Sequence, residues 1–336
     1  MGEESVLPMG FKLRLYEYLS KQAWLRNRAL KKQFRTFAMV DKERESIEMA
    51  SYSPAWISGL GMGDLSGSEA GAKAIEKQSK LLLNPTPIRY GDLSVNLYKT
   101  GKIDIDCVPT LVPTCISGVE ITEESVILSA KAIGGGPELV RIITSGCKRR
   151  VEEPMNGGGV SFSVEYPLYR KVVIGLDDTD SAVKGATFVT ALRIAGILEK
   201  IVKDTKFLRL TISLNWPKNP EKTTNNASSA LVFATKPERE EELINQFTKL
   251  ATKYTISKDT GMAVMKKVLA PDPLIKYARK VKSVYVDVTE AFRISKQVGV
   301  EAIPITGEKG LVGALSATGL VDSPGEAISP VDVGYR

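Results

Sequence analysis

The nine residues Val-Ile-Gly-Leu-Asp-Asp-Thr-Asp-Ser, 173–181, set Asp177, Asp178 and Asp180 within four positions, directly behind a short apolar run. Three carboxylates this close repel one another unless a cation or hydrogen bonds compensate, and hard ions such as Mg²⁺ favour such oxygen clusters. Magnesium in turn commonly brings phosphate. If the strand continues through the pair, Asp177 and Asp178 point to opposite sides, one to reach the metal and the other to fix the loop. Thr179 and Ser181 add hydroxyls, and a helix starting near Gly185 would offer amino-terminal N–H groups to an anion. The same residues would also serve as an Asp-rich turn and helix cap.

The chain has no histidine, so Ser-His-Asp, Cys-His and histidine-ligated metal chemistry are excluded, and any acid or base is Asp, Glu, Lys, Tyr or Cys. Cys107, Cys115 and Cys147 form no Cys-x-x-Cys pair, and all three are expected to be reduced. No run approaches the roughly 18 apolar residues of a membrane span, and the start MGEESVLPMG is acidic rather than a basic leader. A cytoplasmic location is expected.

The elements that must position the aspartates follow from the pattern around them. YRKVVIGL from Tyr169 reads as a buried strand, and GATFVTALRIAGILEKIVKD as an amphipathic helix. LRLTISLN and SALVFAT read as strands around the polar loop WPKNPEKTTNN, and PEREEELINQFTKLATKY as a helix with Pro237 at its start. This β-α-β-β-α order is that of a ferredoxin-like half, which gathers the acidic loop and the KTTNN loop at one edge. The fold class is α/β (α+β), with the ferredoxin-like domain at 170–336.

Residues 50–169 alternate short β-prone runs with glycine clusters, none of which has a Rossmann or Walker A spacing, and read as a second α/β domain. Residues 1–49 form a basic extension: Phe11 to Arg35 hold eight bases against one acid, the whole of the net charge of +7. Leu15, Leu19, Leu30, Phe34 and Phe37 fall at helical spacing among and just after those bases. Such a helix could dock on RNA, anionic lipid or an acidic protein, or simply present a solvated basic face.

GLDDTDS, LNWPKNPEKTTNNASSALVF, KDTGMAV and GEKGLVGALSATG, in that order, resemble the kinase-like ATP-binding domain of archaeal agmatinylcytidine synthetase, which modifies an isoleucine tRNA. The match in order and loops is closer to the methanogenesis marker protein 11 family. The resemblance implies ATP and Mg²⁺ as cofactors, with Asp177, Asp178 and Asp180 handling metal and phosphates. It implies a nucleotide site completed by Lys222, Thr223, Thr224, Asn225 and Asn226, with Lys309 and Gly310 of the glycine-rich segment near phosphate and Asp259 in a further wall. A loop facing solvent and a helix packed through its small residues would give the same sequences. The synthetase has Gly-Met-Cys-Thr-Thr after its aspartates; here Gly185-Ala186-Thr187-Phe188-Val189-Thr190 follows, which leaves Thr187 as the candidate phosphoacceptor. Cysteines for the synthetase's zinc ribbon are lacking, so cytidine modification is not the first expectation. That expectation is a Mg-ATP-dependent enzyme of methanogenic archaea that activates an acceptor by phosphoryl or nucleotidyl transfer, in maturation of the methanogenesis machinery. The alternatives are an ATP-sensing assembly factor without turnover, and an RNA-modification enzyme.

Overall fold

Alternation along one strand organises the region around the aspartates. Val172, Ile174 and Leu176 are fully buried on one side of it, while Lys171, Val173, Gly175 and Asp177 occupy the other. The computed structural model describes residues 35–41, 43, 46–52, 81, 83, 88–90, 93–105, 114–144, 146–220, 222 and 226–330. They form a mixed α/β chain in two compact units, Met1–Ala38 with Arg44–Leu168, and Met39–Glu43 with Tyr169–Arg336.

The first unit contains β1 (Arg35–Val40, shared at its end with the second), β2 (Ser46–Tyr52), β3 (Ile88–Tyr90), β4 (Leu93–Lys99), β5 (Gly101–Lys102), β6 (Thr114–Ile121) and β7 (Ser125–Ala132). There follow α1 (Gly136–Ile143), β8 (Arg149–Pro154) and the first half of β9 (Val160–Asp177). β2 and β3 pair antiparallel with β4, while β7 and β8 flank β9, so that Val164 faces both Leu128 and Arg150. The tail of the expected basic helix is strand instead: Phe37 is buried in β1, its ring 6.5 Å from that of Tyr52. Arg35-Thr-Phe-Ala-Met-Val ends in five uncharged residues with β-branched and aromatic members, and burial within a sheet decides their state. The remainder of the expected helix, from Phe11 to Phe34, lies outside the described residues. Cys115 is half of a disulfide, a correction to the expectation of three reduced cysteines; Cys147 keeps its thiol.

The second unit continues from β9 into α2 (Thr187–Ile201), β10 (Thr205–Leu214), β11 (Ala227–Thr235), α3 (Glu240–Tyr254), β12 (Gly261–Met265), α4 (Asp272–Ser283), α5 (Val288–Val298), β13 (Glu301–Pro304), α6 (Gly310–Gly319) and α7 (Pro324–Ile328). The strand order is β10-β11-β9-β12-β13 with every neighbour antiparallel. β9 and β10 therefore run parallel on either side of β11, a placement that needs the crossover helix α2. No helix among the described residues is long and apolar enough to cross a membrane.

One face of this sheet is covered by α2 and α3. Ala191, Ile194, Ala195 and Leu198 of α2 and Leu243, Phe247 and Ala251 of α3 fall at three- and four-residue spacing and close on Val172, Ile174, Leu176, Leu231 and Phe233. Burying each large side chain in this cluster is worth about 1.5–3 kcal/mol. Glu240, Glu241 and Glu242 in the first turn of α3 complement its dipole.

The opposite face carries α6, whose sequence GLVGALSATG is nearly all small and nearly all buried. Small residues let backbone meet backbone. A Cβ placed on Gly175 would lie 2.8 Å from the carbonyl carbon of Ala314, and one on Gly261 would lie 2.8 Å from the Cα of Leu311. Beyond α6, the fully buried Lys171 donates to Asp322 at 2.9 Å and to the carbonyl of Val268 at 2.7 Å, and Arg209 reaches the same carboxylate at 2.6 Å. Two buried cations sharing one anion tie the segment after α6 to β9 and β10.

Candidate functional site

Asp177 is the last residue of β9 and continues the side of the strand that faces α6. Its carboxylate occupies space that a side chain at Gly313 would fill: a Cβ there would stand 2.7 Å from Asp177 Cγ, closer still to Oδ2, and 3.0 Å from Asn215 Nδ2. Oδ1 accepts the N–H of Asp178 at 2.8 Å. Burial raises the Asp177 pKa well above the usual carboxylate range, and the charges of Asp178 and Asp180 push it further, against the lowering effect of that hydrogen bond. A cation at this position would offset both causes.

The strand ends at Asp177 and does not continue through the pair, unlike the continuation considered from the sequence. Asp178 turns into the left-handed region (φ 53°), which a short polar side chain tolerates better than most. The turn brings Asp177 and Asp178 to the same pocket instead of opposite sides of a sheet. Hydroxyls hold the loop from behind: Thr260 donates to the Asp178 carbonyl at 2.6 Å and bonds to Thr255, while the N–H of Ile256 donates to the Thr179 carbonyl at 3.0 Å.

The pocket gathers Asp177, Asp178, Lys222, Asn226 and Lys309 from the residues singled out in the sequence. Lys309 is the residue before α6, and Lys222 reaches the pocket while donating to the Pro217 carbonyl at 2.7 Å. Asn226, also left-handed (φ 51°), donates through Nδ2 to the Trp216 carbonyl at 2.5 Å. The remaining candidates do not line this pocket. Thr187 is buried, and its Oγ1 accepts from the N–H of Thr179 at 3.3 Å, so it serves as an internal brace of the loop. Asp180 is buried with its Cβ 3.0 Å from where a Cβ on Gly185 would fall, and Gly185 sits at φ 91°. Ser181 closes a tight turn onto the Lys184 carbonyl at 2.9 Å. The Asp259 carbonyl accepts from the N–H of Gly310 at 2.8 Å, which clamps the start of α6 onto β12. Thr223, Thr224 and Asn225 lie outside the described residues.

The anion site expected from the sequence is at the helix start near Gly185; there the N–H groups of Val189 and Thr190 donate to the Ala186 carbonyl at 3.1 and 3.2 Å. At the start of α6 the amino-terminal groups are engaged as well. The N–H groups of Gly310, Leu311 and Val312 already donate to the carbonyls of Asp259, Glu308 and Lys309. Lys222 and Lys309 are the cations that line the same pocket as Asp177. Among the described residues no three side chains of the His, Cys, Asp or Glu types gather closely enough to hold a metal unaided.

Sequence reasoning passed over half of the pocket. Asn215 and Trp216 follow the end of β10; Asn215 Nδ2 donates to Ser228 Oγ at 3.2 Å, and the N–H of Trp216 donates to the Val281 carbonyl at 3.0 Å. Val281 and Val284 at the end of α4, Val286 before α5 and Val312 of α6 form an apolar wall. Asn215 and Trp216 stand in the LNWPKN stretch at the end of an alternating strand, which was a usable signal for them. The valines gave none, since their role depends on which helix ends meet.

No family model matches the chain. It is 29% identical over 150 residues to TiaS of Pyrococcus horikoshii, the 2-agmatinylcytidine synthetase of an isoleucine tRNA; the match covers 44% of this chain and 35% of the synthetase, so the chain spans about a third of that relative's length. Among solved structures, the complex of TiaS with that tRNA and ATP is similar over 45% of this chain and 36% of that one, at 22% identity and a TM-score of 0.41. The complex of TiaS with the tRNA, AMPCPP and agmatine gives 20% identity and 0.38 over 44% and 36%. A further relative, the uncharacterized protein MJ0921 of Methanocaldococcus jannaschii, is 33% identical over 291 residues, 85% of this chain and 92% of its own length. On that extent of shared sequence, the chain belongs to the family of MJ0921.

Proposed function

We propose that this protein binds Mg-ATP in the pocket beside Asp177 and uses it to activate an acceptor by phosphoryl or nucleotidyl transfer. The observation that carries this reading is the pairing of Asp177, a buried carboxylate at the end of a central strand, with Asp178, Lys222 and Lys309 around one pocket that also has a valine wall. The pocket lining combines two kinds of chemistry. Lysines and carboxylates suit a metal-bound triphosphate, and Val281, Val284, Val286 and Val312 beside Trp216 suit an apolar ring.

The residues fit magnesium, which keeps several waters and is commonly held by one or two carboxylates together with substrate phosphates. Asp177 and Asp178 would hold it; when bound, it would neutralise phosphate charge. Lys309 and Lys222 would add positive charge at the phosphates, and the buried, hydroxyl-braced turn would keep both carboxylates in place without reorganisation. Asp180 acts through the charge it adds near Asp177. Thr187, as a phosphoacceptor, would first have to leave its bond with Thr179.

The β-α-β-β-α-β run from β9 to β12 supports a ferredoxin-like, kinase-like reading of the second unit. The ordered motifs support membership of the methanogenesis marker protein 11 family, with the acceptor in the methanogenesis machinery. A second reading, RNA modification, is favoured by the similarity to TiaS. Isothermal titration of Mg-ATP, followed by chromatography of nucleotide products with and without tRNA, tests both. Binding with turnover raised by tRNA selects the RNA reading, and absence of binding at millimolar Mg-ATP overturns both.

A further inference from the structure

Lys282, on α4, is buried and is not one of the residues lining the pocket. Its ammonium donates to three backbone carbonyls: Leu214 at 2.8 Å, Ala327 at 2.7 Å and Ser329 at 3.0 Å. An ammonium has three donors and no acceptor, so this tripod uses its full capacity. The geometry joins separate parts of the second unit. Leu214 ends β10 immediately before Asn215 and Trp216, while Ala327 and Ser329 lie at the carboxyl end of α7 and just after it.

We propose that Lys282 is a positioning residue of the pocket: by holding the Leu214 carbonyl from α4, it fixes the strand end that presents Asn215 and Trp216. In naming a ligand, this rests on the reading of the pocket as a nucleotide site. The neighbouring residue completes the clamp, because the Val281 carbonyl accepts the N–H of Trp216 at 3.0 Å. Residues 281 and 282 thus hold 214 and 216 from the same helix turn, and Val281 itself lines the pocket. The end of α7 supplies the acceptors that let a charged group remain there. Burial lowers the amine's pKa, an effect opposed by the charge of Glu326, a carboxylate that Arg279 of α4 holds at 3.0 Å.

The test uses the full-length chain with Trp24 and Trp56 changed to phenylalanine, which leaves Trp216 as the sole tryptophan. Lys282→Met is compared with Lys171→Met, which removes another buried ammonium that does not line the pocket. Lys282→Met is expected to raise acrylamide quenching of Trp216 and to weaken Mg-ATP binding by about tenfold, the scale of a lost charged hydrogen bond. Lys171→Met is expected to lower the melting temperature and leave both readouts unchanged. If Lys282→Met is poorly folded, Lys282→Gln, which keeps a shorter donor, should show the same effects in smaller measure. Unchanged quenching in a folded Lys282 variant overturns the proposal, as does an equal rise in Lys171→Met, which would mean general loosening. Failure of the unsubstituted protein to bind Mg-ATP would instead overturn the nucleotide reading, and the quenching comparison would still decide the role of Lys282.

Discussion

Replacing a glycine inside a helix by alanine ordinarily stabilises a protein by about 1 kcal/mol, because alanine loses less backbone freedom on folding. Gly313, the fourth residue of α6, should do the opposite. A Cβ there would stand 2.7 Å from Asp177 Cγ and 3.0 Å from Asn215 Nδ2, in a region where neither strand nor helix has room to retreat. Overpacking of this kind costs about 1–3 kcal/mol, and a displaced Asp177 would also lose the hydrogen bond from Asp178, worth about 0.5–1.5 kcal/mol. The net expectation for Gly313→Ala is destabilisation by about 1–3 kcal/mol, with Mg-ATP binding reduced tenfold or more. Asp177→Ala removes the obstructing carboxylate. In that background Gly313→Ala should be neutral or regain up to about 1 kcal/mol, so the two substitutions should be coupled by at least about 1 kcal/mol. Thermal and urea melts of the four proteins in EDTA measure this. Additivity, or stabilisation by Gly313→Ala with Asp177 intact, would refute the packing argument and the placement of Asp177 against α6.

Asp177→Asn should weaken Mg-ATP binding yet stabilise the metal-free protein at neutral pH. The raised pKa of Asp177 means that its favourable contribution is fully present below about pH 4, its unfolded value, and is lost as pH rises through the folded pKa. Melts in EDTA across pH should therefore show the two proteins converging in acid and separating above it; parallel curves would contradict the assignment. Asp322→Asn leaves the buried Lys171 and Arg209 without their shared anion and should cost about 3–5 kcal/mol, read by urea denaturation. Thr260→Val removes the donor to the Asp178 carbonyl and should cost about 1–3 kcal/mol. It should also weaken Mg-ATP binding, which calorimetry would detect.

What the sequence determined was local. The unbroken apolar run in YRKVVIGL marked a strand buried on both sides, and its end placed three carboxylates and a turn together. The spacing of Ala191, Ile194 and Leu198 defined which face of α2 is apolar, and the order of the elements indicated that the acidic loop and the strand-connecting loop come together at one edge. What tertiary structure decided was direction and company. Asp178 and Asp177 reach one pocket because Thr260 and Ile256, some eighty residues later, hold the turn. Thr187, legible only as a hydroxyl at a helix start, becomes an internal brace. The basic stretch ends in a strand at Phe37 because sheet burial outweighs a weak helical spacing. The valine wall and the Lys282 tripod were invisible in sequence, since each joins segments whose spacing carries no period. Local pattern can state what a residue prefers, but a buried charge or an apolar wall is defined by its neighbours, and those are set only when the chain packs.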